Sequence, residues 1–240
     1  MGLTLNNLSC SYKRDGNIEE AQNCLKKALE LQENMAAEEA SQHVDPKFEK
    51  SPQRRIVNPS QNDENRFNSS PRPANNEFAL TELNLCAIFS QKGDHMKAKM
   101  YAHSSIYKLK QDIEYLERQL ASQSIVDKDH NETIREQLRE KQSLLAIAHY
   151  NLGCQQEYLK EFQKSMESYR RAFMIEKAKT DESGKLSQLA NEFLKSYKDM
   201  KRRFLTQAKS VANMNNPSNP LAKKTFSGLI QAQVDDMASK

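Results

Sequence analysis

The stretch from Leu3 to Leu31, LTLNNLSCSYKRDGNIEEAQNCLKKALEL, decides the fold, because its pattern occurs twice more along the chain. The second copy begins at Leu80 and reads LTELNLCAIFSQKGDHMKAKMYAHSSIYKL. The third begins at Ile147 and reads IAHYNLGCQQEYLKEFQKSMESYRRAFMI. The copies align without internal gaps, and each can form two helices joined by a turn. Such self-similarity predicts a helical repeat protein, in which stacked hairpins share a thin core.

Residues of similar size recur at the same positions of the three copies. Small residues stand where the two helices of a hairpin would touch, and large apolar residues stand one turn away, where they fill the wedge between hairpins. Gly16 and Gly93 mark the turns, since glycine adopts a left-handed backbone without steric cost, and Lys160 stands there in the third copy. The residues expected to pack the repeats together are Leu8, Tyr12, Gly16, Ala21, Ala28, Leu85, Phe89, Gly93, Ala98, Leu152, Gly153, Tyr169 and Ala172.

These landmarks resemble those of tetratricopeptide repeats. The string LNNL at residues 5–8 resembles the kinesin light chain subtype, in which such asparagines hold cargo peptides. The segments LTLNNLSCSYKRDG, LNLCAIFSQKGDH and AIAHYNLGCQQEYLKEFQKSMESYRRA resemble tetratricopeptide proteins of ciliated and flagellated protists. The resemblance covers about half of the chain and implies a structural component of the axoneme or a ciliary assembly factor.

Two insertions separate the copies. The small landmark residue moves from Ser9 to Cys86 and then to Gly153, so each step is about twice the usual period of about 34 residues. The first insertion, residues 43–76, is polar and proline-rich, and we expect a disordered loop because it cannot bury enough apolar surface to offset its ordering entropy.

The second insertion, about residues 106–146, has a helical apolar pattern. Its first half spaces apolar residues as in a coiled-coil seam, and its second half carries a complementary stripe beyond a turn that Asp129 or Asn131 could cap. We favour a projecting helical hairpin over a seam that binds a partner helix, because both stripes belong to this chain. The stripes are Ile106, Leu109, Ile113, Leu116 and Leu120, then Ile134, Leu138, Leu145 and Ala148.

After the third copy, apolar residues at helical spacing predict a capping helix over about 184–208, with Asp181 or Ser183 as its cap. The sequence thus predicts an all-α fold of three tetratricopeptide-type hairpins in a right-handed solenoid, with elongated helices, a projecting hairpin and a C-terminal capping helix. The expected divisions are 1–42 for the first repeat with an extended second helix, 43–76 for the loop, 77–179 for the second and third repeats, 180–209 for the capping helix and 210–240 for an irregular tail.

Composition argues against several functions. The net charge is only +4 and is spread out, which disfavours nucleic-acid binding, and no apolar run is long enough to cross a membrane. The four cysteines form no CxxC pair, and no catalytic or nucleotide-binding motif is found. We therefore expect no enzymatic activity, cofactor, metal or small-molecule substrate, and reduced thiols in a cytoplasmic protein.

Three asparagines suggest how a partner is held. Asn7, Asn84 and Asn151 share one position of the first helix, which faces the concave groove in tetratricopeptide domains. An amide there can donate to and accept from a peptide backbone. The alternative is that these amides satisfy helix-to-helix contacts. The tetratricopeptide class that binds chaperone tails needs lysine one turn earlier, to clamp a carboxylate. Those positions hold Leu3, Leu80 and Ile147 here, which argues against that class.

Two functional hypotheses follow. The first is a structural scaffold in a cilium or axoneme, with partners such as tubulin or axonemal proteins. The second is a soluble adaptor that binds an extended peptide in its groove. An RNA-binding helical repeat is disfavoured, because the groove shows no repeated base-reading side chains.

Overall fold

Three helical hairpins and a final helix make up the described part of the protein. The computed structural model describes residues 2–42, 77–122, 128–179 and 185–215, and these contain helices and no strand. The predicted loop 43–76 and the tail beyond residue 215 lie outside the described residues. The helices are α1 (Gly2–Arg14), α2 (Ile18–Gln42), α3 (Glu77–Gln91), α4 (His95–Ser122), α5 (Lys128–Tyr158), α6 (Phe162–Lys177) and α7 (Gln188–Asn215).

The same turn joins the helices of each hairpin. Gly16, Gly93 and Lys160 have φ angles of 82°, 77° and 63°, in the left-handed region. After each first helix, two backbone N–H groups donate back to its last carbonyls, as Gly16 N donates to Lys13 O (3.2 Å) and Asn17 N to Tyr12 O (2.8 Å). This is the Schellman ending of a helix. The third hairpin keeps it with a lysine, for which the left-handed conformation is strained.

Small side chains allow the helices of each hairpin to approach closely. Ala21, Ala28, Ala98 and Ala172 are fully buried, and Ser165 Oγ donates to the backbone oxygen of Gly153 at 2.8 Å. A larger core residue such as Leu25 or Leu85 then fills the space between neighbouring hairpins. Apart from the turn glycines Gly16 and Gly93, which are exposed, the predicted packing positions lie in or against the core, with one exception.

That exception is Leu8, whose expected packing role is wrong. Its side chain is 42% exposed, whereas its counterparts Leu85 and Leu152 are 0% and 4% exposed. In the second and third hairpins this leucine is covered because α2 packs against α3 and α4 packs against α5. Within the described residues, no helix precedes α1 to cover Leu8 in the same way.

The long hairpin predicted between the second and third copies is formed by α4 and α5. Leu109, Leu116 and Ile134 of its two stripes are buried, which agrees with the internal hairpin rather than an open seam. An ion pair also lies inside it, with Lys141 Nζ 3.3 Å from Asp112 Oδ2 and both side chains buried. Burial raises the pKa of Asp112 above its usual value, and Lys141 opposes this shift.

The beginnings of two helices differ from the prediction. Helix α5 begins at Lys128, so Asp129 and Asn131 lie inside its first turn rather than capping it. Helix α7 begins at Gln188 and is capped by Ser187, whose Oγ accepts the N–H of Ala190 at 3.0 Å. The candidate caps Asp181 and Ser183 lie outside the described residues. Helix α7 reaches Asn215, six residues past the expected end of the capping helix at 209.

Helix α7 covers the last hairpin, as the sequence predicts. Its Ala190, Phe193 and Met200 are buried, and Phe193 and Met200 lie in two clusters with residues of α5 and α6. Without this helix, the apolar side of α6 would face water.

Candidate functional site

The first helices of the three hairpins lie side by side and carry the candidate asparagines. We call the surface formed by α1, α3, α5 and the following α7 the first-helix face. Asn7 is exposed on α1, while Asn84 and Asn151 are half-buried at the equivalent positions of α3 and α5. The Asn151 side chain makes no hydrogen bond among the described residues. The three asparagines therefore share a position along their helices but not an environment.

Asn84 is engaged in a hydrogen-bond network between the first and second hairpins. Its Nδ2 donates to Asn6 Oδ1 at 3.3 Å, and Asn6 Nδ2 donates to Thr81 Oγ1 at 2.9 Å. Gln32 Nε2 of α2 donates to the same Thr81 oxygen at 3.1 Å. Asn6 and Thr81 are almost fully buried, so these bonds fix how the two hairpins meet. The alternative reading, helix-to-helix contact, thus applies in part to Asn84.

Asn6 is a residue that the sequence analysis did not single out. Gly2, Asn6 and Ser9 are the buried residues of α1, with spacings of four and three residues. This helical spacing of small and polar residues is the feature of the sequence that marks Asn6 as a buried position.

A cleft of about 430 Å³ opens on the first-helix face between α5 and α7. Its wall on α5 is formed by Tyr150, Cys154, Glu157 and Tyr158, and Arg203 of α7 faces them. Arg203 forms an ion pair with Glu157 across the cleft. One face of the Tyr158 ring stacks on His95 at 4.1 Å between ring centroids, but the residue is 63% exposed, so the rest of this amphipathic ring can contact a ligand.

The floor of the cleft is the buried Tyr169 of α6. Its hydroxyl donates to Glu157 Oε2 at 3.0 Å and lies 3.3 Å from Cys154 Sγ. Tyr150 stacks on Phe193 of α7 at 4.9 Å between ring centroids and lies 5.3 Å from the ring of Tyr169. These contacts hold the floor and one wall in fixed positions, so the cleft is largely preformed.

Two thiols near this face, Cys86 and Cys154, are not activated for chemistry. Burial raises the pKa of Cys154 above its usual value and raises that of Cys86 to about 12. Both therefore stay protonated at neutral pH, whereas a nucleophilic cysteine needs a thiolate. The cleft offers hydroxyls, one ion pair and aromatic surface, which suit binding.

Within the described residues, no group of three or more His, Cys, Asp or Glu side chains is arranged to hold a metal ion. None of the described helices is long and apolar enough to cross a membrane.

Comparison with known proteins agrees with the repeat reading. A family model for the tetratricopeptide repeat matches residues 4–35, the first hairpin. A search of curated proteins finds no match to the chain. With the seven described helices, this confirms the all-α, tetratricopeptide-like helical solenoid and supports a tetratricopeptide-repeat protein. Such repeats bind other proteins and are generally non-catalytic.

Proposed function

We propose that this protein is a non-catalytic interaction scaffold that holds an extended segment of a partner protein on its first-helix face. The cleft between α5 and α7 carries the proposal. Tyrosine and arginine are enriched in protein interfaces, where they supply apolar area together with hydrogen-bonding groups. The exposed Tyr158 and the paired Arg203 provide both at a preformed site.

Asn151 gives this surface a way to hold peptide backbone. Its amide is half-buried on α5, the helix that forms one wall of the cleft, and makes no hydrogen bond among the described residues. A ligand can therefore use both its donor and its acceptor. Asn84 contributes less, because its Nδ2 is already shared with Asn6.

Peptides selected from a displayed library against the full chain provide the test, with the dissociation constant measured by fluorescence anisotropy. Tyr158→Ala and Asn151→Ala should each weaken a selected peptide about tenfold, which corresponds to about 1.4 kcal/mol. Tyr107→Ala is the matched control, because Tyr107 is 64% exposed on α4, outside the first-helix face, against 63% for Tyr158. An equal loss in the control, or no saturable peptide at all, would contradict the proposal.

Asn84→Ala requires a separate stability measurement. It removes a hydrogen bond to the buried Asn6, so about 1 kcal/mol of unfolding free energy is expected to be lost. Weaker peptide binding by this variant counts for the proposal only if its circular dichroism and unfolding midpoint show that it is folded under the assay conditions.

The setting of this scaffold is a further part of the proposal. A permanent place in a cilium or axoneme, with tubulin or axonemal proteins as partners, is supported by the sequence resemblance alone. Fractionation of the tagged protein from ciliated cells tests it. Retention with salt-washed axonemal microtubules favours the permanent scaffold, whereas release by detergent favours a soluble adaptor.

A further inference from the structure

A second concave surface lies between α4 and α6, with α5 at its floor. This basic groove has a volume of about 580 Å³. The charged and titratable side chains that line it are His103 and Lys110 of α4, His149 of α5, and Lys164, Glu167 and Arg171 of α6. Three permanent cations thus face one carboxylate, which leaves an excess of two positive charges in the lining.

His149 is a buried polar group that lacks a partner. Its side chain belongs to the floor of the basic groove, the residue is 4% exposed, and its Nδ1 has no hydrogen-bond partner among the described residues. Buried polar atoms without a partner are rare unless a water, ion or ligand supplies the missing hydrogen bond. Burial, followed by the charges of Lys110 and Arg171, lowers the pKa of His149 to about 4. Lys110 and Arg171 line the same groove as the ring of His149.

The cations of the basic groove retain capacity to bind a ligand. Lys110 has no ion pair among the described residues. Lys164 lies 3.6 Å from Glu161, which already holds Lys99 at 2.7 Å. Arg171 uses its Nε to bond Glu167 at 2.9 Å, so its terminal amino groups can bind another acceptor.

The neutral groups of the basic groove also favour an acceptor ligand. Ser168 Oγ donates to Gln156 Oε1 at 2.7 Å. Because the Gln156 oxygen is used, its amide N–H groups are what it can offer to a ligand. The lining therefore presents donors from three helices to any group that enters.

We propose that the basic groove binds the phosphoryl group of a phosphorylated serine or threonine on a partner protein. A phosphate ester carries about −1.5 to −2 charges at neutral pH and three acceptor oxygens, which match the charge excess and the converging donors. A protein source follows from the scaffold function, and in this respect the inference rests on the function proposed above. A carboxylate brings half the charge and leaves donors unused.

The first measurement is a titration of the full chain with N-acetyl-O-phosphoserine amide, followed by the NMR signals of the His149 ring. The expected result is a saturable shift together with a rise in the pH at which His149 titrates, because the bound dianion stabilises the imidazolium. N-acetyl-glutamate amide is the carboxylate probe and should bind at least tenfold more weakly. Equal binding of the two probes would overturn the phosphoryl assignment.

Lys110→Met provides the matched variant test. Lys110 is an exposed helix residue, so its loss should leave the fold intact and weaken the phosphoserine probe about tenfold or more. Lys26→Met, at an exposed position of α2, should leave binding unchanged. An undiminished affinity of Lys110→Met, or an equal loss in the control, would overturn the proposal.

Competing phosphate sources are compared in the same way. Tighter binding of phosphatidylserine vesicles or of single-stranded RNA, lost on Lys110→Met, would replace the protein ligand with a lipid or a nucleic acid. Failure of the two proposals can be told apart. If peptide binding depends on Tyr158 but the phosphoserine probe does not bind, the scaffold proposal stands and the phosphate site is refuted. If the probe binds but no peptide binding depends on Tyr158, only the phosphate site stands.

Discussion

Acidification should destabilise this protein through His149. In the folded protein, the pKa of this imidazole is held at about 4 by burial and by the charges of Lys110 and Arg171. In an unfolded chain its pKa is about 6.5. The folded state therefore keeps the ring neutral while the unfolded state binds a proton. Its stability penalty is absent well above pH 6.5, grows as the pH falls from about 6.5 to about 4, and is constant below that.

The magnitude follows from proton linkage. With these two pKa values, one histidine costs about 2 kcal/mol of unfolding free energy between about pH 8 and about pH 5. Urea unfolding in chloride buffers without phosphate measures it, since the unfolding free energy is extrapolated from the denaturant dependence. Comparison with His149→Gln isolates this residue from the other titrating groups.

The variant should lose less stability than the unmodified protein on going from about pH 8 to about pH 5, with a difference of about 2 kcal/mol. Asn34→Gln, at an exposed position of α2 without a titratable side chain, is the control and should follow the unmodified protein. Parallel pH profiles for the unmodified protein and His149→Gln would refute the reasoning, because they would mean that His149 titrates alike in both states.

Three further changes test the packing. Gly153→Ala should destabilise the protein by about 1–2 kcal/mol in urea unfolding, because the new Cβ would lie 2.8 Å from the buried Tyr169 ring. This cost should exceed the gain from the higher helix propensity of alanine. Unchanged or higher stability would show that the ring can move. Lys160→Gly should stabilise by about 0.5–1 kcal/mol in thermal unfolding, because it relieves the left-handed backbone, and a lower midpoint would contradict this. Lys141→Met should cost about 3 kcal/mol of unfolding free energy, because it leaves Asp112 buried and unpaired. Adding Asp112→Leu should restore most of this loss. A double variant as unstable as Lys141→Met alone would refute this explanation of the ion pair.

The hairpins could be predicted because their cause is local and repeats. Small residues at the contacts, a glycine at two turns and matched apolar stripes specify helix pairs wherever they occur. Even Lys160, which lacks the freedom of glycine, adopts the same turn because the flanking helices impose it. Helix ends were harder, since Ser187 rather than an earlier residue caps α7.

The two proposed binding surfaces, and the exposure of Leu8, were less accessible to sequence reasoning. Leu8 shares its repeat position with buried leucines, yet its burial depends on a neighbouring helix. Tyr158 and Arg203 belong to different elements far apart in the chain, and they meet only when α7 packs on the last hairpin. Likewise, the pKa of His149 is lowered by Lys110 and Arg171, which belong to two other helices. An alignment of repeats compares equivalent positions and carries no information on contacts between residues at different positions of different helices.

The most direct test of the scaffold function is the NMR spectrum of the full chain as a library-selected peptide is added. The side-chain amide signals of Asn84 and Asn151 report on the first-helix face, and Asn34, exposed on α2, serves as the reference. The amide signal of Asn151 should shift most, that of Asn84 less, and that of Asn34 not at all. Movement of Asn34 alone, or of no first-helix residue at saturation, would contradict peptide binding on this face.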